Sequence, residues 1–220
     1  MSWFTKLITS SIGQKFISGI TGLFLISFLI VHLSGNFLLF KADNGEAFNA
    51  YSHFMSTNML IRFMEIGLVV GFLLHIIVGI KLYFLNKGAR PVNYAERNAN
   101  ANSSFFSRFM MGSGGIVLIF LVLHVYTFAI RHRVLGVEGT MYDLVKIAFQ
   151  DPIYTGFYIV AMFLLGFHLN HGFQSAFQTF GLEGKKYSPL IKFLSTAYAI
   201  IVPLLFATMP LYFYFNLGGN

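Results

Sequence analysis

Seven histidines occur in a chain that has no cysteine. Five of them, His32, His75, His124, His168 and His171, stand inside stretches that are otherwise apolar. An imidazole is costly in such surroundings, so it marks a ligand, a pathway or a polar pair. The plain alternative is a ring that donates to the carbonyl of a neighbouring helix. Neutral imidazole is the commonest side-chain ligand for metals. Without cysteine this chain offers no disulfide, no thiolate-held zinc or iron–sulfur cluster, and no covalent haem attachment. His53 and His132 fall in or beside polar segments and read as solvated or headgroup-facing.

The elements that position these rings follow from composition. Of 220 residues, 56% are hydrophobic and only 10% charged, with a mean hydropathy of +0.68. Soluble domains carry about 25% charged residues, which excludes an ordinary cytosolic domain, a disordered tail and a fibrous protein. A membrane span needs about 20 mostly apolar residues. Five such stretches occur, at about 16–40, 61–86, 109–130, 152–178 and 190–217. The fold class expected is therefore an all-α membrane protein, one five-helix bundle over residues 1–220. Pro203 and Pro210 bend the last helix. The polar segment 41–60 suits a short interfacial helix. Segment 87–108 is the most hydrophilic. Segment 131–151 holds Arg131, His132 and Arg133, and 179–189 holds Lys185 and Lys186. The basic N-terminal stretch precedes an apolar run too long for a signal peptide, so it reads as an uncleaved anchor.

Charge supplies the orientation. With the N-terminus inside, ten of the 15 lysines and arginines fall on the inner side and five on the outer side. That bias predicts a cytoplasmic N-terminus and an outer C-terminus. The net charge of +7 reflects this loop bias. No run of like charges and no motif points to nucleic acid.

Depth then pairs the histidines. At about 1.5 Å per residue, His32 and His124 lie roughly 24 and 22 Å from the inner ends of their outward-running helices. His75 and His168 each lie roughly 16 Å from the inner ends of theirs. Two rings at one depth on separate helices suit a bis-imidazole b-type haem. The expectation is two non-covalent haems, one on His32 and His124 nearer the outside, one on His75 and His168 nearer the inside. His171 rivals His168, because HLNH is also an i, i+3 ligand spacing. His168 is preferred because Gly172 follows it by four, as Gly79 follows His75. A glycine one turn past the ligand leaves room for a flat ring, and Gly35 near His32 reads the same way. The alternative is small-residue packing between helices.

These four histidines, with SGITGLFLISFLIVHLSGN, EIGLVVGFLLHIIVGI and GFHLNHGFQSAFQTFG around them, resemble the single-chain, five-helix, di-haem cytochrome b subunit of bacterial succinate dehydrogenase and fumarate reductase. The resemblance covers nearly the whole chain. It implies an outer haem on helices one and three and an inner haem on helices two and four. It implies a location in the bacterial cytoplasmic membrane, a flavoprotein partner with covalent FAD and an iron–sulfur partner on the cytoplasmic face, and a quinone, usually menaquinone, as lipid-soluble substrate. Electrons from succinate would pass through the iron–sulfur partner and both haems to quinone. Related menaquinol-oxidising fumarate reductases carry an acid two positions before the helix-four ligand. Gly166 stands there in this chain, which favours the succinate-oxidising direction.

Within that reading Glu65, the one carboxylate inside a span, is a candidate for the quinone site. It lies about 15 Å from His75 toward the outside, a depth suited to proton exchange with a quinol. The alternative is an ion pair with Arg62 at i−3. Lys15, Ser18 and Arg108 are candidates for the inner haem's propionates, and Lys41, Arg131 and His132 for the outer one's. Two rival functions share these residues: a di-haem cytochrome b anchor of another dehydrogenase, and a haem-free proton channel or transporter using His and Glu.

Overall fold

The computed structural model describes residues 2, 5, 8–88, 109–182 and 184–217. Among these the chain is mostly helical, with no strand. Helix α1 spans Ser11–Asn36, with the Ser10 hydroxyl accepting from the Gly13 N–H, and runs into a 3₁₀ turn at Phe37–Phe40. Helix α2 is Glu46–Thr57 and α3 is Met59–Gly88. Between them Asn58 Oδ1 accepts from the Leu60 and Ile61 N–H groups, satisfying donors at the start of α3. Helix α4 is Met110–Val125. It widens into a π-helical turn at Tyr126–Ile130 and ends at Arg131–Arg133. Helix α5 is Met141–Gln150, α6 is Pro152–Thr179 and α7 is Ser188–Tyr214.

Five of these runs, at 11–40, 59–88, 110–133, 152–179 and 188–214, are long and apolar enough to cross a membrane. The chain is a multi-pass membrane protein. Helix ends fall within a few residues of expectation, except that α1 begins five residues earlier. Pro203 and Pro210 are both buried within α7, which continues through them.

Helix α6 is central. It packs against α1, α4 and α7, with α7 the most extensive neighbour. A Cβ built on Gly166 of α6 would lie 2.8 Å from the Ala199 carbonyl oxygen. The two backbones therefore approach too closely for any side chain at that position. Tyr198 of α7 donates its hydroxyl to the Ile26 carbonyl of α1 at 2.6 Å. Helix α3 is peripheral: it packs on α1 and α2, and Gly71 is its one buried residue.

Connectivity brings α2, α5 and the ends they join to the same end of the bundle, called here the cap. The two short helices pack on each other, and Asn49 Oδ1 of α2 accepts from the Tyr142 N–H of α5 at 3.0 Å. Under them lies an apolar cluster of Leu33, Leu39, Phe48, Val145, Phe149, Tyr158, Val202, Met209 and Phe213. The short helix expected within 41–60 is thus α2. Helix α5 has no counterpart in the sequence reading. Its signal is a capping box, in which Thr140 accepts from the Asp143 N–H and Asp143 accepts from the Thr140 N–H. The Thr140 hydroxyl also donates to Asp143 Oδ2 at 2.6 Å, and this bond, ahead of the one from the Thr140 N–H, holds the Asp143 carboxyl below the usual aspartate range.

Gly35 serves this cap. A Cβ there would overlap the Tyr51 ring of α2. The expectation that Gly35 clears space beside His32 for a flat ring is therefore corrected: it clears space for a tyrosine.

Candidate functional site

Four of the intramembrane histidines meet two by two. His32 of α1 and His124 of α4 have ring centroids 5.7 Å apart with planes at 88°. His75 of α3 and His168 of α6 have centroids 6.2 Å apart with planes at 74°. The first pair lies nearer the cap. These are the pairs that depth alone joined. His171 is half-buried and has no ring contact with another histidine among the described residues, so the structure brings His168, not His171, to His75.

The surroundings of each ring are specific. Phe28 stacks on His32 at 5.3 Å and Phe120 on His124 at 5.6 Å, each from four residues earlier on the same helix. Gly22 of α1 faces the other pair: a Cβ there would lie 3.3 Å from His75 Cε1. Gly114 of α4 faces His168 in the same way, at 3.3 Å from Cε1 and 3.4 Å from Nδ1. A spacing of Gly-x5-Phe-x3-His thus recurs, as Gly22, Phe28, His32 and as Gly114, Phe120, His124. Sequence reasoning missed Gly22, and saw Gly114 only within the run Gly112-Ser-Gly-Gly, as space near His124 rather than near His168. The repeated ten-residue interval before His32 and His124 was the available signal. Of the glycines it did single out, Gly79 borders open space and Gly172 only reaches the Met110 Cε at 4.0 Å.

Hydrogen bonds fix one ring. Thr21 Oγ1 donates to the Ile17 carbonyl at 2.8 Å, with the Ser18 carbonyl at 3.1 Å. A hydroxyl has one proton, so toward His75 Nδ1, 3.2 Å away, Thr21 can only accept. In that arrangement His75 carries its proton on Nδ1, and Nε2 keeps the lone pair. His124 Nδ1 lies 3.0 Å from the Tyr158 hydroxyl. Asn36 Nδ2 donates mainly to the His32 carbonyl at 2.7 Å. His168 Nδ1 is buried without a hydrogen-bond partner among the described residues.

These facts fit an iron porphyrin. Two imidazole nitrogens sharing one metal at about 2 Å per bond place their ring centres roughly 6 Å apart, close to both separations seen. Among the described residues no three metal-ligating side chains cluster. A metal held by two protein ligands needs its remaining positions filled by something else, as a macrocycle does.

The other expected residues are placed as follows. Lys15 is exposed near the start of α1 and Ser18 is half-buried one turn before Gly22. Gln14, one turn earlier on that face, is buried with its Oε1 unpartnered. Arg108 lies outside the described residues. Glu65 is not buried as expected. Its side chain is 37% exposed and is paired with Arg62 and, at 2.8 Å, with Arg133 at the end of α4. The reason is the peripheral setting of α3, which leaves Glu65 at the edge of the bundle.

The chain is 29% identical over 162 residues to the succinate dehydrogenase cytochrome b558 subunit of Bacillus subtilis (strain 168), an alignment covering 73% of each protein. No family model and no solved structure matches the chain.

Proposed function

We propose that this chain, as a homologue of a succinate dehydrogenase cytochrome b subunit, is the membrane anchor of a bacterial succinate:quinone oxidoreductase. It carries electrons between an iron–sulfur partner and a membrane quinone, menaquinone in this reading, on two b haems. The observation that carries the proposal is the facing of four imidazoles in two pairs, 5.7 and 6.2 Å between ring centroids. Each haem, when bound, supplies a one-electron carrier whose potential is set by its ligands and their surroundings. His32 and His124 hold one, and His75 and His168 the other. Phe28 and Phe120 keep water from the first pair, and Thr21 presents the Nε2 of His75. Lys15, Ser18 and Arg108 serve the propionates at the N-terminal end. That end faces the cytoplasm of the inner membrane, where the flavoprotein and iron–sulfur subunits dock and bring electrons from succinate.

Quinone reduction also consumes protons. The cap seals the bundle end above the His32–His124 pair, so a quinone approaches from the bilayer. Glu65, with Arg62 and Arg133, forms the polar edge it meets there and exchanges the proton.

Two measurements test this. Purified protein is expected to show a haem b α-band in its reduced-minus-oxidised spectrum and about two haems per chain. A spectrum without haem would favour the channel or transporter reading, and haem without a co-purifying flavoprotein would favour another dehydrogenase. Glu65→Gln is expected to lower quinone turnover by roughly 100-fold, the lower range for loss of a general acid–base group, with both haem spectra intact. Normal turnover would leave Glu65 as an ion-pair residue only.

A further inference from the structure

A row of two tyrosine hydroxyls leads away from the His32–His124 pair. The Tyr158 hydroxyl lies 3.0 Å from His124 Nδ1, and the Tyr154 hydroxyl, one turn nearer the cap on α6, lies 3.1 Å from that of Tyr158. Tyr158 is 5% exposed. Its ring is wedged between Phe120 and Phe149, with centroids 4.8 and 4.9 Å away. The hydroxyl is therefore held where it is by packing, and no other side-chain group bonds to it among the described residues.

One proton decides how the row works. Tyr158 can give its hydroxyl proton to His124 or to Tyr154, not to both. When Tyr154 accepts it, Tyr158 presents a lone pair to His124, and the imidazole must carry its own proton on Nδ1. Nε2 then keeps the lone pair that a metal needs. An imidazole that donates from its far nitrogen is also the more basic ligand. No such acceptor meets His168, whose Nδ1 is buried and unpartnered.

We propose that Tyr158 is a positioning residue for His124, fixing its tautomer and strengthening it as a ligand, with Tyr154 directing the Tyr158 proton away from the ring. The proposal rests on the reading of His32 and His124 as haem ligands. A more basic ligand favours the oxidised iron, so Tyr158 lowers the potential of that haem and leaves the other unaffected.

The test is a redox titration of the haems in the intact complex in membranes, with the His32–His124 step identified as the one lost in His32→Ala. Tyr158→Phe is expected to raise the midpoint of that step, leave the other step unchanged and retain a low-spin EPR signal. Tyr154→Phe is expected to shift the same step upward by less. Thr21→Val is expected to move the other step. Unchanged midpoints in Tyr158→Phe with both haems bound would overturn the proposal. If Tyr158→Phe fails to retain its haem, Tyr154→Phe decides: an upward shift supports the relay and an unchanged midpoint overturns it. Parent complex without haem would instead overturn the ligand reading beneath it.

Discussion

Replacing His32 or His124 with alanine is expected to remove one haem and leave the other. Each candidate site takes its two rings from different helices, and the pairs share no ring: His32 with His124, His75 with His168. Losing one imidazole removes half of the protein ligation at its own site and none at the other. Haem per chain, measured as the pyridine haemochrome, should therefore fall from about two to about one. His75→Ala and His168→Ala should give the same count with the other spectral component missing. His171→Ala should retain both haems, because His168 is the ring that meets His75. Retention in His168→Ala together with loss in His171→Ala would transfer the ligand role to His171.

A substitution that touches no histidine is expected to be nearly as severe. In Gly114→Val the first added carbon alone would stand 3.3 Å from His168 Cε1 and 3.4 Å from Nδ1, and the two further methyl groups deepen the overlap. Overpacking of this kind costs about 1–3 kcal/mol, which a bundle of this size can absorb by turning the ring aside. A metal bond cannot follow, because ligand distances must hold to about 0.2 Å. The His75–His168 haem should then be lost while the His32–His124 haem stays, although Gly114 lies on the helix that carries His124. Gly22→Val should act likewise through His75, whose Cε1 is 3.3 Å from the would-be Cβ. Gly115→Val is the control, since nothing lies within 4 Å of a Cβ at that position. Loss of the His32–His124 haem instead, or two haems retained in Gly114→Val, would refute the argument.

What was legible in the sequence was what depends on hydropathy and on rise per residue. Five spans followed from apolar run length, and the pairing of the rings followed from counting along them. Partners that depend on rotation about a helix were not legible. Thr21 and His75 lie 54 positions apart, and nothing near either residue announces the other. Tyr158 looked like one more aromatic residue in an apolar run. Glu65 was misread for a related reason: depth along α3 could be counted, but its place at the edge of the bundle comes from packing with other helices. The π-helical turn at Tyr126–Ile130 has no local cue. Helix α5 did have one, the Thr140 and Asp143 cap, hidden among the charges and glycines of its loop.

The recurrence of glycine, phenylalanine and histidine along α1 and α4 has a consequence for how the molecule divides. Helices α1–α3 and α4–α6 each set a short helix between two long ones, with His32 to His75 spanning 43 positions and His124 to His168 spanning 44. Each half supplies one ring to each pair, so neither half holds a complete pair alone. The symmetry breaks ten positions before His75 and His168, where one half has Glu65 and the other Tyr158. The pair nearer the cap thus has unequal counterparts: a buried phenol on the α6 side, and on the α3 side a half-exposed side chain paired with Arg62 and Arg133.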